Sequence, residues 1–396
     1  MAATRKPERM TGREVVIVAA ARTPIGRGHA EKGWLKDVHP NELLGLTYKA
    51  VIERAGVEPA AVEDVVAGTA NQVGEQSNNI ARNAWLQAGL PVETPAITVD
   101  RQCGSAQSAV SFAAGLIASG AHDVVIGAGV EHMGRVPMGS NVAHADEFGT
   151  PFPPELMERY ELIPQGLSAE LIADRWEVPR SEMDELGLRS HRLAHQATEE
   201  GRFEREIVPV AVNGHSVTTD QGIRADTSLE RMAALPPAFK EDGKVTAGNS
   251  SQISDGAAAV VLMARETADE LGVRPLARIY DQATVGVDPV IMLTGPIPAT
   301  RTLLDRNGMT IDDLDLIEIN EAFSSVVAAW RRELDPDMER VNVNGGALAL
   351  GHPLGSSGAR LITTLVHELE RSDGELGLVT MCTAGGTGTG TIVQRV

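Results

Sequence analysis

Two cysteines stand in 396 residues, Cys103 and Cys382, and a thiolate is among the strongest nucleophiles a side chain offers near neutral pH. Cys103 lies in AITVDRQCGSAQSAV, between a strand-like run and a helix built of Gly, Ser, Ala and Gln. At such a helix start a thiol faces unpaired backbone N–H groups and the positive end of the helix dipole, which is expected to lower its pKa. Taken alone, an inert buried cysteine is an equal reading. His352 lies in NGGALALGHPLGSSGAR, a loop whose glycines let backbone come close, and an imidazole there could take a proton from a nucleophile. Cys382 closes the strand LGLVTM and opens CTAGGTGTGT. That glycine-rich turn can offer N–H groups to a developing oxyanion, as acyl transfer requires. A phosphate-binding reading of GTGTGT fails, because TIVQRV ends the chain and no helix can start there. Asn320 and Glu321 follow the apolar run DLIEI and precede AFSSVVAAW, at a strand end where open α/β layers place their sites; helix capping by Asn320 is the plainer alternative.

These residues need a scaffold, and the order of elements supplies one. EVVIVAA, DVVAGTA, AITVD and DVVIGAG alternate with Ala- and Leu-rich helical stretches, which reads as an α/β layer. Roughly 135 to 250 is richer in charge, Pro and long helical patterns, and reads as an insertion. The segment from AITVD to GVEHM and the segment from RVNVN to CTAGG share one order: strand, polar turn, small-residue helix, loop, buried strand. We read a duplicated α/β half. The expected division is 13–134 with 251–270, an insertion over 135–250, and 271–396.

The formal charge is −19, which disfavours nucleic acid and anionic membranes in the absence of a basic patch. Coenzyme A is an anion too, so its binding would rest on a few placed cations and backbone N–H groups. The two cysteines have no neighbouring Cys that would suggest a metal knuckle or a disulfide framework. VVIVAA is too short and too closely flanked by charge for a signal segment, and no apolar run reaches the length of a membrane helix. A cytoplasmic protein with a loose tail over residues 1 to about 12 is expected.

The constellation resembles the thiolase family. AARTPIGR, DRQCGSAQSAV, KVTAGNSSQISDGAAAV, NEAF, GGALALGHPLGSSGAR and CTAGGTGTG occur in family order from about Glu14 to Val396. The resemblance implies an α/β thiolase fold: two pseudo-dyad-related βαβαβαββ halves in a five-layered α/β/α/β/α core, with an inserted loop domain. It implies CoA-dependent cleavage of a 3-ketoacyl thioester, or the reverse Claisen condensation, with CoA as substrate and neither a permanent cofactor nor a metal. By the same carry-over Cys103 is the acylated nucleophile, His352 its proton acceptor, and Cys382 the acid or base at the α-carbon. Asn320 holds a water that completes one oxyanion hole with His352, the backbone N–H groups of Cys103 and Ala384 form the other, and Arg224 and Ser251 contact CoA. A homodimer or homotetramer is implied.

Two departures stand out. Ala384 replaces the usual Gly and would be strained if the position needs a positive φ. Pro164-Gln165-Gly166 replaces the His-Met-Gly of short-chain biosynthetic enzymes, which points to the degradative type. An acetoacetyl-CoA-forming biosynthetic enzyme and a non-catalytic CoA- or lipid-binding relative are the competing readings. A carrier-protein-dependent ketosynthase would carry a second histidine where Cys382 stands, and an α/β-hydrolase would need a G-x-S-x-G elbow that the chain lacks.

Overall fold

The computed structural model describes residues 12–396; the tail expected before residue 12 lies outside the described residues. Its strands are β1 (Val15–Arg22), β2 (Gly26–Arg27), β3 (Asp64–Gly68), β4 (Ala96–Val99), β5 (Val124–His132), β6 (Val210–Val212), β7 (His215–Val217), β8 (Ser254–Ala264), β9 (Ala277–Gly286), β10 (Leu316–Ile319), β11 (Leu376–Thr383) and β12 (Thr387–Arg395). β1, β5 and β8 are buried along their whole length, because helices cover both faces of the sheet.

The two halves repeat one topology. In the first, β8 pairs antiparallel with β1 and β5, and β3 runs parallel to β5 and β4. In the second, β12 pairs antiparallel with β9 and β11, and β10 runs parallel to β11 and to a bridge at Val341. The duplicated half read from element order is therefore present as a matched set of pairings. The halves meet along β1 and β9, through the pairs Val16–Arg278 and Ile17–Ala277.

Five layers follow from which helix packs on which face. Leu43, Leu44, Tyr48 and Val51 of helix Pro40–Ala55 cover the outer face of the first sheet with Val65, Ile126 and Val261. Leu303 of helix Pro296–Asn307 and Trp330 of helix Ser324–Leu334 cover the outer face of the second with Ile317, Leu378 and Ile392. Between the sheets lie helices Ser105–Ala118 and Ser357–Ser372, packed through Ala106, Ala109, Ile117, Leu361, Leu365 and Leu369. The small side chains of the first of these admit close approach. A Cβ added at Gly358 would stand 2.3 Å from the Gln107 nitrogen, so the starts of the two central helices touch.

The stretch between β5 and β8 carries helices Gln165–Arg175 and Arg180–Glu199 and the β6–β7 hairpin. It is tied to the core by Arg22 at the end of β1. This fully buried guanidinium donates to Glu206 at 2.5 Å and to both oxygens of Asp220 at 2.7 and 2.9 Å. Buried charges persist when paired in this bidentate way. No helix among the described residues is long and apolar enough to cross a membrane.

Candidate active site

The central layer delivers the site. Gly68, at the end of β3, has no Cβ to separate the turn at Ser105 from the loop at Gly355: a Cβ there would lie 2.5 Å from the Ser105 carbonyl carbon and 2.7 Å from the Gly355 oxygen. The turn that carries Cys103 and the loop that carries His352 therefore meet over one glycine. Just before Cys103, Gln102 adopts φ 49°, a left-handed conformation that costs a non-glycine residue roughly 1–2 kcal/mol. Asp100 accepts the Gln102 N–H at 2.6 Å and Ser105 Oγ accepts that of Arg101 at 2.8 Å. The sharp turn is held by its own polar side chains.

Both thiols are buried, Cys103 at 2% exposure and Cys382 at 0%. The N–H groups of Ala384 and of Cys103 itself and the side-chain amide of Gln165 lie near the Cys103 sulfur. These favour the thiolate, yet burial outweighs them and pushes the Cys103 thiol up to about 11. The lowered pKa expected from the helix start is thus overturned. The residue sits ahead of the first helical residue, Ser105, and desolvation of a charge exceeds the gain from a helix end. Burial also raises Cys382, and the charge that would form on Cys103 raises it further. A Cβ added at Gly104 would stand 2.6 Å from the Thr383 methyl carbon, so the Cys103 turn and the end of β11 that carries Cys382 are in contact.

His352 is neutral, pushed down to about 3 by burial and then by the positive charge of Arg360. Ser357 Oγ donates to the Pro353 carbonyl at 2.9 Å and lies 2.5 Å from His352 Nδ1. A serine hydroxyl has one proton, and with that proton on the Pro353 carbonyl we assign the imidazole proton to Nδ1, which donates to Ser357. Nε2 is left as the acceptor, 3.3 Å from Asn320 Nδ2. Asn320 does not cap a helix: the following one begins at Ser324 with Phe323 as its cap. Its amide is fully buried, and Oδ1 has no partner among the described residues.

The segment 249–254 joins these parts. Ser251 N–H donates to Ala322 O at 2.9 Å, and the His352 N–H donates to Ser254 Oγ at 3.0 Å. Ser251 is half-buried beside the site. Arg224 is exposed, its backbone N–H donating to buried His191 Nδ1 at 3.1 Å, and no hydrogen bond joins it to the cysteine and histidine cluster among the described residues. Ala384 is unstrained: the positive φ angles of that turn fall on Gly385 (79°) and Gly386 (76°).

Sequence reasoning passed over Ser357 and Glu131. Glu131 is fully buried and accepts from the N–H groups of Ala70, Asn71 and Gly355 and from the side chains of Asn71 and Gln76, at 2.8–3.1 Å. It fastens the His352 loop to the first half. The signal was a lone carboxylate closing the apolar strand VVIGAGV.

A repeated α/β half on each side of two touching central helices, with two thiols, a neutral imidazole and a buried amide at their shared end, defines an acyl-transfer scaffold. Comparison with known proteins places it further. Residues 15–266 match the family model "Thiolase, N-terminal domain" and residues 273–395 match "Thiolase, C-terminal domain". The chain belongs to the thiolase family and is an acyltransferase. It is 46% identical to the steroid 3-ketoacyl-CoA thiolase FadA6 of Mycobacterium tuberculosis, over 97% of this chain and 94% of that one. Identity to the 3-ketoacyl-CoA thiolase of Bacillus subtilis is 42%, over 96% and 99%. The crystal structure of the Bacillus anthracis acetyl-CoA acetyltransferase superposes with a TM-score of 0.89 at 40% identity, over 97% and 99%.

Proposed function

We propose that the chain cleaves 3-ketoacyl-CoA with CoA, releasing acetyl-CoA and a shortened acyl-CoA through an acyl-Cys103 intermediate, or runs the same path in reverse. The observation that carries this is the pairing of Cys103 with Cys382 beneath the Ala384 N–H, at the end of the core where His352 meets Asn320. Cys103 attacks the 3-keto carbon as its proton passes to His352 Nε2. With the thiol near 11 and the imidazole near 3, no stable ion pair precedes attack, so proton transfer accompanies bond formation. The N–H groups of Cys103 and Ala384 stabilise the tetrahedral oxyanion. The C2–C3 bond then breaks, and Cys382 protonates the departing acetyl-CoA enolate, whose thioester oxygen lies toward Asn320 and His352. CoA thiol then attacks the acyl carbon, its proton passing to the Cys382 thiolate, and Cys103 leaves as its thiolate and regains its proton from His352. Arg224 and Ser251 line the CoA approach.

Pro164-Gln165, with Gln165 reaching Cys103, supports the degradative type and medium or bulkier acyl groups. Thiolysis of a graded panel of 3-ketoacyl-CoAs, followed by loss of 3-keto thioester absorbance, tests this. Cleavage of the larger members at least as efficiently as acetoacetyl-CoA is expected, and strict preference for acetoacetyl-CoA would overturn it. The domain division proposed is 13–134 with 251–270, the loop domain 135–250, and 271–396, in a cytoplasmic homodimer or homotetramer. β4 ends the strand order, and Ile97 on it is exposed at 52%, with Phe112 of helix Ser105–Ala118 exposed at 46%. An apolar sheet edge of this kind favours self-association, which sedimentation of the purified chain measures.

A further inference from the structure

The strand that leads into Asn320 and the helix that follows the His352 loop meet in a second contact, between charged side chains. Glu318 precedes Asn320 by two residues on β10, and Arg360 follows Ser357 by three on helix Ser357–Ser372. Arg360 Nη1 is 3.6 Å from Glu318 Oε2, and the side chains are 1% and 3% exposed. No nitrogen of the guanidinium has a hydrogen-bond acceptor among the described residues, and Glu318 Oε2 has no donor. An arginine so deeply buried is poorly explained by stability, because apolar residues of similar volume often serve a core as well or better.

We propose that Arg360 and Glu318 are a positioning pair for the active site: they fix β10 against the central helix so that Asn320 faces His352, and they hold a positive charge within reach of the imidazole. The proposal rests on the role given above to His352. Arg360 is the one charge acting on His352 among the described residues. It disfavours the imidazolium, keeping Nε2 free to take the thiol proton. Arg22, Glu206 and Asp220 also act on Arg360, and Glu206, Glu321 and Glu368 act on Glu318. Burial pushes the Glu318 carboxyl up to about 8, with Arg360 opposing. Burial likewise pulls the Arg360 guanidinium down, with Glu318 opposing.

The test compares kcat/KM for thiolysis at pH 4.5 and pH 8 in the full-length enzyme. Arg360→Met removes the smaller of the two causes that hold the imidazole down, so it is protonated more readily and activity at pH 4.5 falls relative to pH 8 by about twofold beyond the parent. Arg360→Lys restores the parent ratio, and Glu318→Gln, which keeps the arginine, leaves the ratio unmoved while lowering kcat with KM for CoA unchanged. If Arg360→Met does not fold, the double variant Arg360→Met/Glu318→Leu removes both buried charges and carries the same test. A folded Arg360-less variant with the parent ratio and parent kcat overturns the proposal. Failure of parent Cys103 to be acetylated by acetyl-CoA, read as intact mass, overturns instead the reaction on which it rests.

Discussion

The two halves share a plan and divide the chemistry unequally, and the comparison is sharpest at the connections that leave equivalent strands. In the second half, β11 passes to β12 through Ala384, Gly385 and Gly386. In the first half, β5 passes to β8 through residues 133–253. The short turn aims a backbone N–H at Cys103. The long one brings Gln165 to the same thiol and Arg224 to the surface beyond it. The strand ends differ as well: β11 presents Cys382, whereas β5 ends on Glu131 and His132, both fully buried and bonded. Each half thus supplies one thiol, Cys103 from the first and Cys382 from the second, and the first half also does the holding: it fastens the His352 loop and carries the long connection toward the substrate.

The largest expected effect breaks that division at its centre. Cys103→Ala abolishes both C–C cleavage and acyl exchange between CoA thioesters. Cys382→Ser removes the acid at the α-carbon, because a hydroxyl is a far weaker acid than a thiol, and lowers cleavage by roughly 10²–10⁴-fold. Its Cys103 is still acetylated by acetyl-CoA. Intact mass shows the added acetyl group on Cys382→Ser and none on Cys103→Ala. The opposite pattern would exchange the roles of the two thiols.

The next effect concerns the holding half. In Glu131→Gln an amide nitrogen replaces an oxygen that accepts at least two N–H groups. Each buried donor left without an acceptor costs about 1–3 kcal/mol, so a loss of at least about 2 kcal/mol in urea unfolding is expected. A loss below 1 kcal/mol would show that the His352 loop is fastened by other means.

Much of this division was legible in the sequence. Six motifs in order marked the fold and the Cys103, His352, Cys382 and Asn320 cluster, and the element order revealed the duplication. Proton affinity was not legible. A helix start argues for an acidic Cys103, and only the surrounding layers show that burial wins. The same holds for Asn320, whose capping reading fails because the chain stays extended through Phe323 before the helix begins. Ser357, Glu131 and Arg360 take their meaning from partners on other elements, between 5 and 60 or more residues away. Local pattern carries no record of such contacts.

A smaller effect belongs to the long connection. Burial first, and the Arg224 charge second, push His191 down to about 4. In the unfolded chain its pKa is about 6.5, so its contribution to stability is present above that pH and is lost as pH falls toward 4. Between pH 7 and pH 5 this amounts to about 2 kcal/mol. His191→Asn keeps an acceptor for the Arg224 N–H and cannot take a proton. Its unfolding free energy should therefore fall less over that interval, by a difference of about 2 kcal/mol; parallel pH dependence in the two proteins would remove His191 from the account.

The smallest effect sharpens the comparison at the short turn. Gly385 has φ 79°, and a Cβ added there would meet nothing within 4 Å. Gly385→Ala therefore isolates the cost of a left-handed alanine, about 1–2 kcal/mol, with no clash beside it. Ala384 has no positive φ, so Ala384→Gly gains no strain relief and loses only chain stiffness in the unfolded state, about 0.4–1 kcal/mol. Activity separates the two positions more clearly than stability. Ala384→Gly keeps the N–H that faces Cys103 and should retain kcat within about twofold. Gly385→Ala can relieve its strain by rotating the preceding peptides, which moves that N–H, and removal of one oxyanion donor costs about 10²–10³ in kcat. Partial displacement places the Gly385→Ala loss between these limits, at about tenfold. Equal kcat in the two variants, with Gly385→Ala destabilised as expected, would show that the turn absorbs the strain at Gly386 and leaves the donor in place.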